Sequence, residues 1–264
     1  MLKALHEPQR QESVRLRIHL APISSEVLRV VEPMKRLRAD IAILLAYSQT
    51  DRTRFTLDKI VQQLNEYRIQ TKVIECDIFD MSQVVNQIGS IVTAAPLHDY
   101  FCNVSTGPRT ASIAGVIAGM FWHVRPYFVF VNDQAKPVHF ENDFPIVGEP
   151  RFIPTFEVSA LDQSAVAALE CLTGSVGPMS KRQLLGELKR GGFVGPRQKE
   201  QVSPQALYGQ LDVILRKLES WGFIESRGRG KGMHIAITDK GIEGRKMFFH
   251  VLNPQKPLDL RTSS

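Results

Sequence analysis

A chain of 264 residues, 43% hydrophobic and 23% charged, has room for one large or two ordinary domains and the composition of a globular protein. No apolar run approaches the ~20 residues of a membrane span, the polar start Met1 to Gln11 has no signal-peptide core, and three scattered cysteines (Cys76, Cys102, Cys171) argue against a disulfide framework. The net charge of +6 is uneven: residues 1–159 hold 17 Lys+Arg against 17 Asp+Glu, residues 160–252 hold 14 against 9, and the tail from Asn253 holds two against one.

Residues 1–13 read as a flexible lead. Val14 to Leu20 reads as a first strand, ending at Ala21-Pro22-Ile23-Ser24-Ser25. A helical pattern runs from about Ser25 to Leu37, with Pro33 expected to bend or restart it. Ile41 to Tyr47 is continuously apolar, as in a strand buried on both faces, and Ser48 to Asp51 is its exit loop. Thr53 to Tyr67 is the next helix, Thr71 to Cys76 a third strand, and Met81 to Ala94 a third helix.

The apolar run Asp99 to Val104 then leads into Asn103-Val104-Ser105-Thr106-Gly107-Pro108-Arg109-Thr110, followed by small and apolar residues at helical spacing from Ile113 to Phe121. This predicts a strand, a tight turn and a buried helix, with Thr106 as the cap, Gly107 in the turn and Pro108 in the first helical turn. Arg109 opposes the helix dipole at that position. Free N–H groups, hydroxyls and an arginine at a helix N-terminus make a place for an anion, most often a phosphate. Tyr127 to Val131 is a fifth strand.

Strands alternating with helices imply an α/β fold, a Rossmann-like and mostly parallel sheet covered by helices on both faces. Ligands of such sheets sit beyond the carboxyl ends of the strands, at the switch point. Three polar exit loops are expected to converge there. Their candidate ligand residues are Pro22, Ile23, Ser24, Ser25, Ser48, Asn103, Ser105, Thr106, Gly107, Arg109 and Thr110.

Residues 134–160, with Pro137, Pro145, Pro150 and Pro154, read as an irregular strand-bearing linker between a first domain (14–133) and a second (161–252). In the second, Ser164 to Leu172, Ser180 to Arg190 and a helix opened by Ser203-Pro204 precede Trp221-Gly222-Phe223-Ile224, which turns into a strand. Arg227 to Gly232 is a basic hairpin tip, His234 to Thr238 the return strand, and Asp239 to His250 a last helix. That order, with the basic excess, is that of a winged helix-turn-helix facing double-stranded DNA. Gln205, Tyr208, Gly209 and Asp212 on the third helix, and Arg227, Arg229 and Lys231 on the hairpin, are its candidate DNA contacts. The tail 253–264 reads as flexible.

Several chemistries find no support. The Gly107 turn is neither G-x-x-x-x-G-K-[ST] nor G-x-G-x-x-G, and Ser105 is not in a G-x-S-x-G elbow. His19, His98, His123 and His139 show no metal spacing, and Asp77, Asp80 and Asp99 suit strand exits and caps. No metal, cofactor or catalytic residue is expected.

Residues 14–131 resemble the CRISPR-associated Rossmann-fold domain, CARF, through Ala21-Pro22-Ile23-Ser24-Ser25 and above all Asn103 to Arg109. Joined to a winged helix, and with the run Arg29 to Asp40, the chain resembles archaeal CARF-type transcriptional regulators. The resemblance implies a cytoplasmic homodimer that binds a cyclic oligoadenylate across its two-fold axis and responds by acting on DNA. Arg109 keeps the family's cation, and Pro108 departs from its usual second glycine. Two other readings stay open. In one, a metal-independent ring nuclease cleaves the cyclic ligand through its own ribose 2′-hydroxyl, with Arg109, Ser24, Ser105 and Thr106 orienting the phosphate. In the other, the chain is a constitutive DNA-binding dimer with no ligand. The dimer interface is expected on the Ala111 to Phe121 helix or on the third helix of the second domain.

Overall fold

The computed structural model describes residues 14–47, 51–130, 147–194, 203–228 and 232–254, with backbone alone for 51–53. Ten elements form the first unit: β1 (Arg17–Pro22), α1 (Val27–Arg36), β2 (Ile41–Ala46), α2 (Asp51–Glu66), β3 (Gln70–Glu75), α3 (Met81–Ala94), β4 (Asp99–Asn103), α4 (Arg109–Trp122), β5 (Arg125–Phe128) and β6 (Arg151–Phe152). They build a six-stranded sheet of order β3-β2-β1-β4-β5-β6. Every pairing from β3 to β5 is parallel, and β6 closes the edge antiparallel to β5. The stretch read from sequence as a linker thus contributes a strand to this sheet.

Side-chain alternation explains the two layers. Ile41, Ile43 and Leu45 of β2 join Ile18 and Leu20 of β1 in the core under α3 and α4. Ala42, Leu44 and Ala46 of β2 join Ala21 in the core under α1 and α2, with Val30, Ile60 and Leu64. Every β2 side chain is buried, as its uninterrupted apolar sequence predicts. His19 is the exception in β1. It is fully buried, stacks on Phe101 at 4.5 Å and lies 3.3 Å from the Tyr127 hydroxyl through Nδ1. Burial, with help from the Arg17 charge, pushes its pKa down to about 3, so the ring is neutral.

The order of strands reverses between β1 and β4, which makes the space beyond their carboxyl ends the switch point of the sheet. Pro33 does not break α1. It sits inside the helix, and the missing N–H leaves the Arg29 carbonyl without its helical partner. Asn103, at the end of β4, donates from Nδ2 to that carbonyl at 2.7 Å.

The second unit comprises α5 (Gln163–Thr173), β7 (Met179–Ser180), α6 (Lys181–Arg190), α7 (Pro204–Ser220), β8 (Ile224–Arg227), β9 (His234–Ile237), α8 (Asp239–Met247) and a 3-10 turn (Phe249–Val251). The strands form a sheet of order β7-β9-β8, all antiparallel. Its helix starts are legible in the sequence. Asp162 caps α5, Ser180 and Gln183 form a capping box on α6, and Ser203 with Pro204 opens α7. Leu207, Leu211, Ile214, Leu215 and Leu218 of α7 enter one core with α5 and α6.

The two units meet along α3. Ser82 Oγ donates to Glu243 of α8 at 2.9 Å, and Asn86 Oδ1 accepts from both the His250 backbone N–H (2.8 Å) and its Nδ1 (3.0 Å). Gly89 lies under the His250 and Trp122 rings, where a Cβ would come within 2.5 Å of His250 Cε1. Burial lowers the His250 pKa to about 4. Phe121 and Trp122, the last residues of α4, pack on Phe248, and Phe121 also stacks on Trp221.

Candidate functional site

The turn after β4 is built by its own side chains. Asn103 is fully buried and its Oδ1 accepts from the Ser105 N–H (3.0 Å) and the Ser105 hydroxyl (2.6 Å). Ser105 Oγ in turn accepts from the Val129 N–H at 2.9 Å. Thr106 donates its hydroxyl to the Pro22 carbonyl at 2.8 Å, which staples this turn to the end of β1. Gly107 holds a φ of +78°, and a Cβ there would sit 2.7 Å from the Pro22 Cβ, so both conformation and space require glycine.

These contacts correct the sequence reading of the helix cap and show how the other predicted side chains of the turn are engaged. Thr106 does not cap α4: the N-cap is Pro108, which has no side-chain cap, and Arg109 is the first helical residue. The Ser105 and Thr106 hydroxyls are spent on the fold and are not free donors for a phosphate. The Asn103 amide is likewise turned into the fold, with Nδ2 on the Arg29 carbonyl and Oδ1 on Ser105. Thr110 gives its hydroxyl to the Ile78 carbonyl at 3.1 Å, tying the start of α4 to the loop before α3.

What remains open is the backbone and one cation. The N–H groups of Thr106, Gly107, Arg109 and Thr110 have no partner among the described residues. They lie at the start of α4, where the helix dipole adds partial positive charge. Arg109 is exposed and makes no ion pair or hydrogen bond among the described residues. A bracing role against a carboxylate is therefore absent there. The arrangement is that of an anion cradle: unpaired amides, a dipole end and an uncommitted guanidinium.

The β1 exit loop forms the facing wall. Pro22 and Ile23 are buried and hold the loop, with Ile23 N–H on the Leu45 carbonyl at 2.9 Å. Ser25 is exposed. Ser24 Oγ is buried with no partner among the described residues, so this hydroxyl keeps its hydrogen-bonding capacity. Ser48 lies outside the described residues.

Two features of this end of the sheet escaped the sequence reading as site residues. Arg29 is one. Its side chain is 17% exposed, pairs with Glu26 (2.8 Å), donates to the Val129 carbonyl (3.2 Å) and leaves Nε without a partner. Val129 binds both Arg29 and Ser105, so this second guanidinium stands beside the turn. Its signal was a cation inside the apolar stripe of α1, four residues before Pro33. The other is an exposed edge-to-face pair, Tyr47 and Phe79, with ring centroids 5.5 Å apart. Thr110 binds the Ile78 carbonyl, which places Phe79 next to the start of α4.

In the second unit, Gln205, Tyr208 and Gly209 are exposed on α7. Asp212 is engaged by Lys181 at 2.5 Å, so its carboxylate is committed within the unit rather than free. Arg227 is exposed at the end of β8, beside Glu225 at 3.4 Å. Arg229 and Lys231 lie outside the described residues. Among the described residues no group of three or more His, Cys, Asp or Glu stands close enough to hold a metal ion, and no helix is long and apolar enough to cross a membrane.

The first unit is thus a Rossmann-like α/β domain with an open anion-suited turn at its switch point. Residues 17–134 match the family described as HFX_2341_N:-like, N-terminal. The uncharacterized protein MJ1513 of Methanocaldococcus jannaschii is 25% identical over 130 residues, which are 45% of this chain and 39% of that protein. Among solved structures, Can2 from Sulfobacillus thermosulfidooxidans in complex with cyclic tetra-adenylate aligns at 13% identity and a TM-score of 0.40, covering 88% of this chain and 63% of that one. Csm6 of Enterococcus italicus, bound to cyclic hexa-2′-fluoro-hexa-dAMP, aligns at 16% identity and a TM-score of 0.37, covering 44% of this chain and 34% of that one. The chain therefore spans less than two thirds of each of these relatives. At such identities and TM-scores none of the likenesses transfers a ligand or an activity to this chain.

Proposed function

We propose that this protein is a homodimeric, ligand-responsive transcriptional regulator. Its first unit is a CARF-type sensor of cyclic oligoadenylate, and its second is a winged helix-turn-helix that binds double-stranded DNA. The observation that carries the reading is the turn at Gly107. Four backbone amides and the Arg109 guanidinium stand there without partners among the described residues, at the end of the sheet where such folds bind ligands. A phosphate diester supplies the acceptors they lack. The exposed Tyr47–Phe79 pair beside them offers rings on which a nucleobase stacks.

The second half of the reading rests on element order and charge. Three helices, a β8–β9 hairpin and a closing helix follow one another, with the exposed start of α7 free of the core and a basic excess of 14 against 9. A dimer follows from function, since one such module reads few base pairs and two-fold pairing matches palindromic half-sites.

Calorimetric titration of cyclic tetra-adenylate into the wild-type chain and Arg109→Ala tests the sensor. A charge-assisted contact contributes ~1.5–3 kcal/mol, and a two-fold pocket loses two of them, so affinity should fall at least ~100-fold. Ligand-free melting should be unchanged because Arg109 has no partner to lose among the described residues. Equal affinity in both proteins would sink the phosphate site.

A further inference from the structure

Read in sequence, His98, Asp99 and His123 are unrelated polar residues. In the fold they come together. A cavity of about 460 Å³ opens at the amino ends of β4 and β5, at the opposite end of the sheet from the Gly107 turn. Arg15, just before β1, and Arg125, the first residue of β5, reach the same carboxylate oxygen, Asp99 Oδ1, at 2.7 and 3.3 Å. Tyr100, Val92 and Trp122 give the cavity apolar walls.

The hydrogen-bonding capacity of this cavity is lopsided. The Tyr100 hydroxyl donates to the Ala95 carbonyl at 2.8 Å, and the Thr93 hydroxyl to the Gly89 carbonyl at 2.7 Å, so both are committed. His98 Nδ1 accepts from the Leu16 N–H at 3.3 Å, which places the hydrogen of the neutral ring on Nε2. With the Tyr100 and Thr93 hydrogens spent, the donors still free among the described lining residues include the remaining guanidinium N–H groups and His98 Nε2–H, which face an anion better than the hydroxyl lone pairs do. Two arginines against one carboxylate also leave one positive charge in surplus. His123, the other titratable group on the rim, lies 3.6 Å from the exposed Glu157.

We propose that this cavity is a second ligand site, distinct from the Gly107 turn, and that it takes an aromatic carboxylate. The anion would replace water on Arg15, Arg125 and His98, and the ring would lie against Trp122 and Tyr100. The size suits such a ligand, since small-molecule sites are ~300–1,000 Å³. Its occupant would also touch the junction of the two units, because Trp122 packs on Phe248 at 6.0 Å and on His250 at 5.3 Å.

The test titrates 2-naphthoate, its neutral analogue 2-naphthamide and inorganic phosphate into the full chain by calorimetry. Naphthoate is expected to bind saturably, one per chain, at least ~10-fold more tightly than naphthamide, and any phosphate heat should be indifferent to the two arginines of this cavity, as a charge-assisted contact plus an apolar wall requires. Arg15→Gln with Arg125→Gln should weaken it at least ~10-fold, while Asp99→Asn, which removes the competing anion, should tighten it. Both arginines are more than half exposed, so folding should survive, and the comparison of acid with amide needs no variant at all. Absence of saturable heat, equal binding of naphthamide, or indifference to the arginine pair would overturn the site. Phosphate binding that the Arg15→Gln and Arg125→Gln pair abolishes would overturn the aromatic assignment.

Discussion

Asn103→Ala should damage the protein through a proline seventy residues away. The Arg29 carbonyl lost its helical donor to Pro33 and receives one from Asn103 Nδ2 at 2.7 Å. The Ser105 N–H and hydroxyl rest on Asn103 Oδ1. Truncation to alanine leaves the Arg29 carbonyl and the Ser105 N–H without partners in a buried setting, at ~1–3 kcal/mol each, for a loss of ~2–6 kcal/mol. Pro33→Ala restores an N–H aimed at the Arg29 carbonyl. In the Asn103→Ala background that N–H should recover ~1–3 kcal/mol more than it does in wild type, where the carbonyl is already satisfied. Urea unfolding of the four proteins, followed by far-ultraviolet circular dichroism and tryptophan fluorescence, measures the cycle, and coincident transitions license it. Additivity of the two substitutions within ~0.5 kcal/mol would refute the idea that Asn103 repairs the proline gap.

Gly107→Ala should cost ~1–2 kcal/mol for the left-handed backbone alone, and more because its Cβ meets Pro22; a melting temperature equal to wild type would mean the turn relaxes freely. Acid should destabilise the protein through His19 and His250, whose burial holds their folded pKa values at about 3 and about 4, below the ordinary 6.5 of a free imidazole. The unfolded chain then binds protons the folded one refuses. Stability is thus full above pH ~6.5 and falls by ~1.4 kcal/mol per pH unit for each ring down to pH ~4, a slope that His19→Phe should roughly halve in melts across that range. Replacing Arg227, Arg229 and Lys231 by glutamine should weaken DNA binding for all sequences and reduce the salt slope by roughly one unit per lost phosphate contact. An unchanged slope would place the hairpin off the DNA.

Local sequence determined most of the elements, for a local reason. A strand buried on both faces must be apolar throughout, as Ile41–Ala46 is, and a helix start needs its cap within three residues, as at Ser180 and Ser203. The turn at Gly107 was legible for the same cause, because φ > 0 selects glycine. Which side chains of that turn stay free was not. The Thr106 hydroxyl finds Pro22, 84 residues away, the Asn103 amide finds Arg29, and Thr110 finds Ile78. Those partners depend on β1 lying between β2 and β4, an order that no window of sequence encodes. The same is true of Arg15, Asp99 and Arg125, which begin three neighbouring segments and meet only because β1, β4 and β5 are parallel and adjacent. Residue type shows which groups can bind a ligand; the strand order decides which of them the fold has already used.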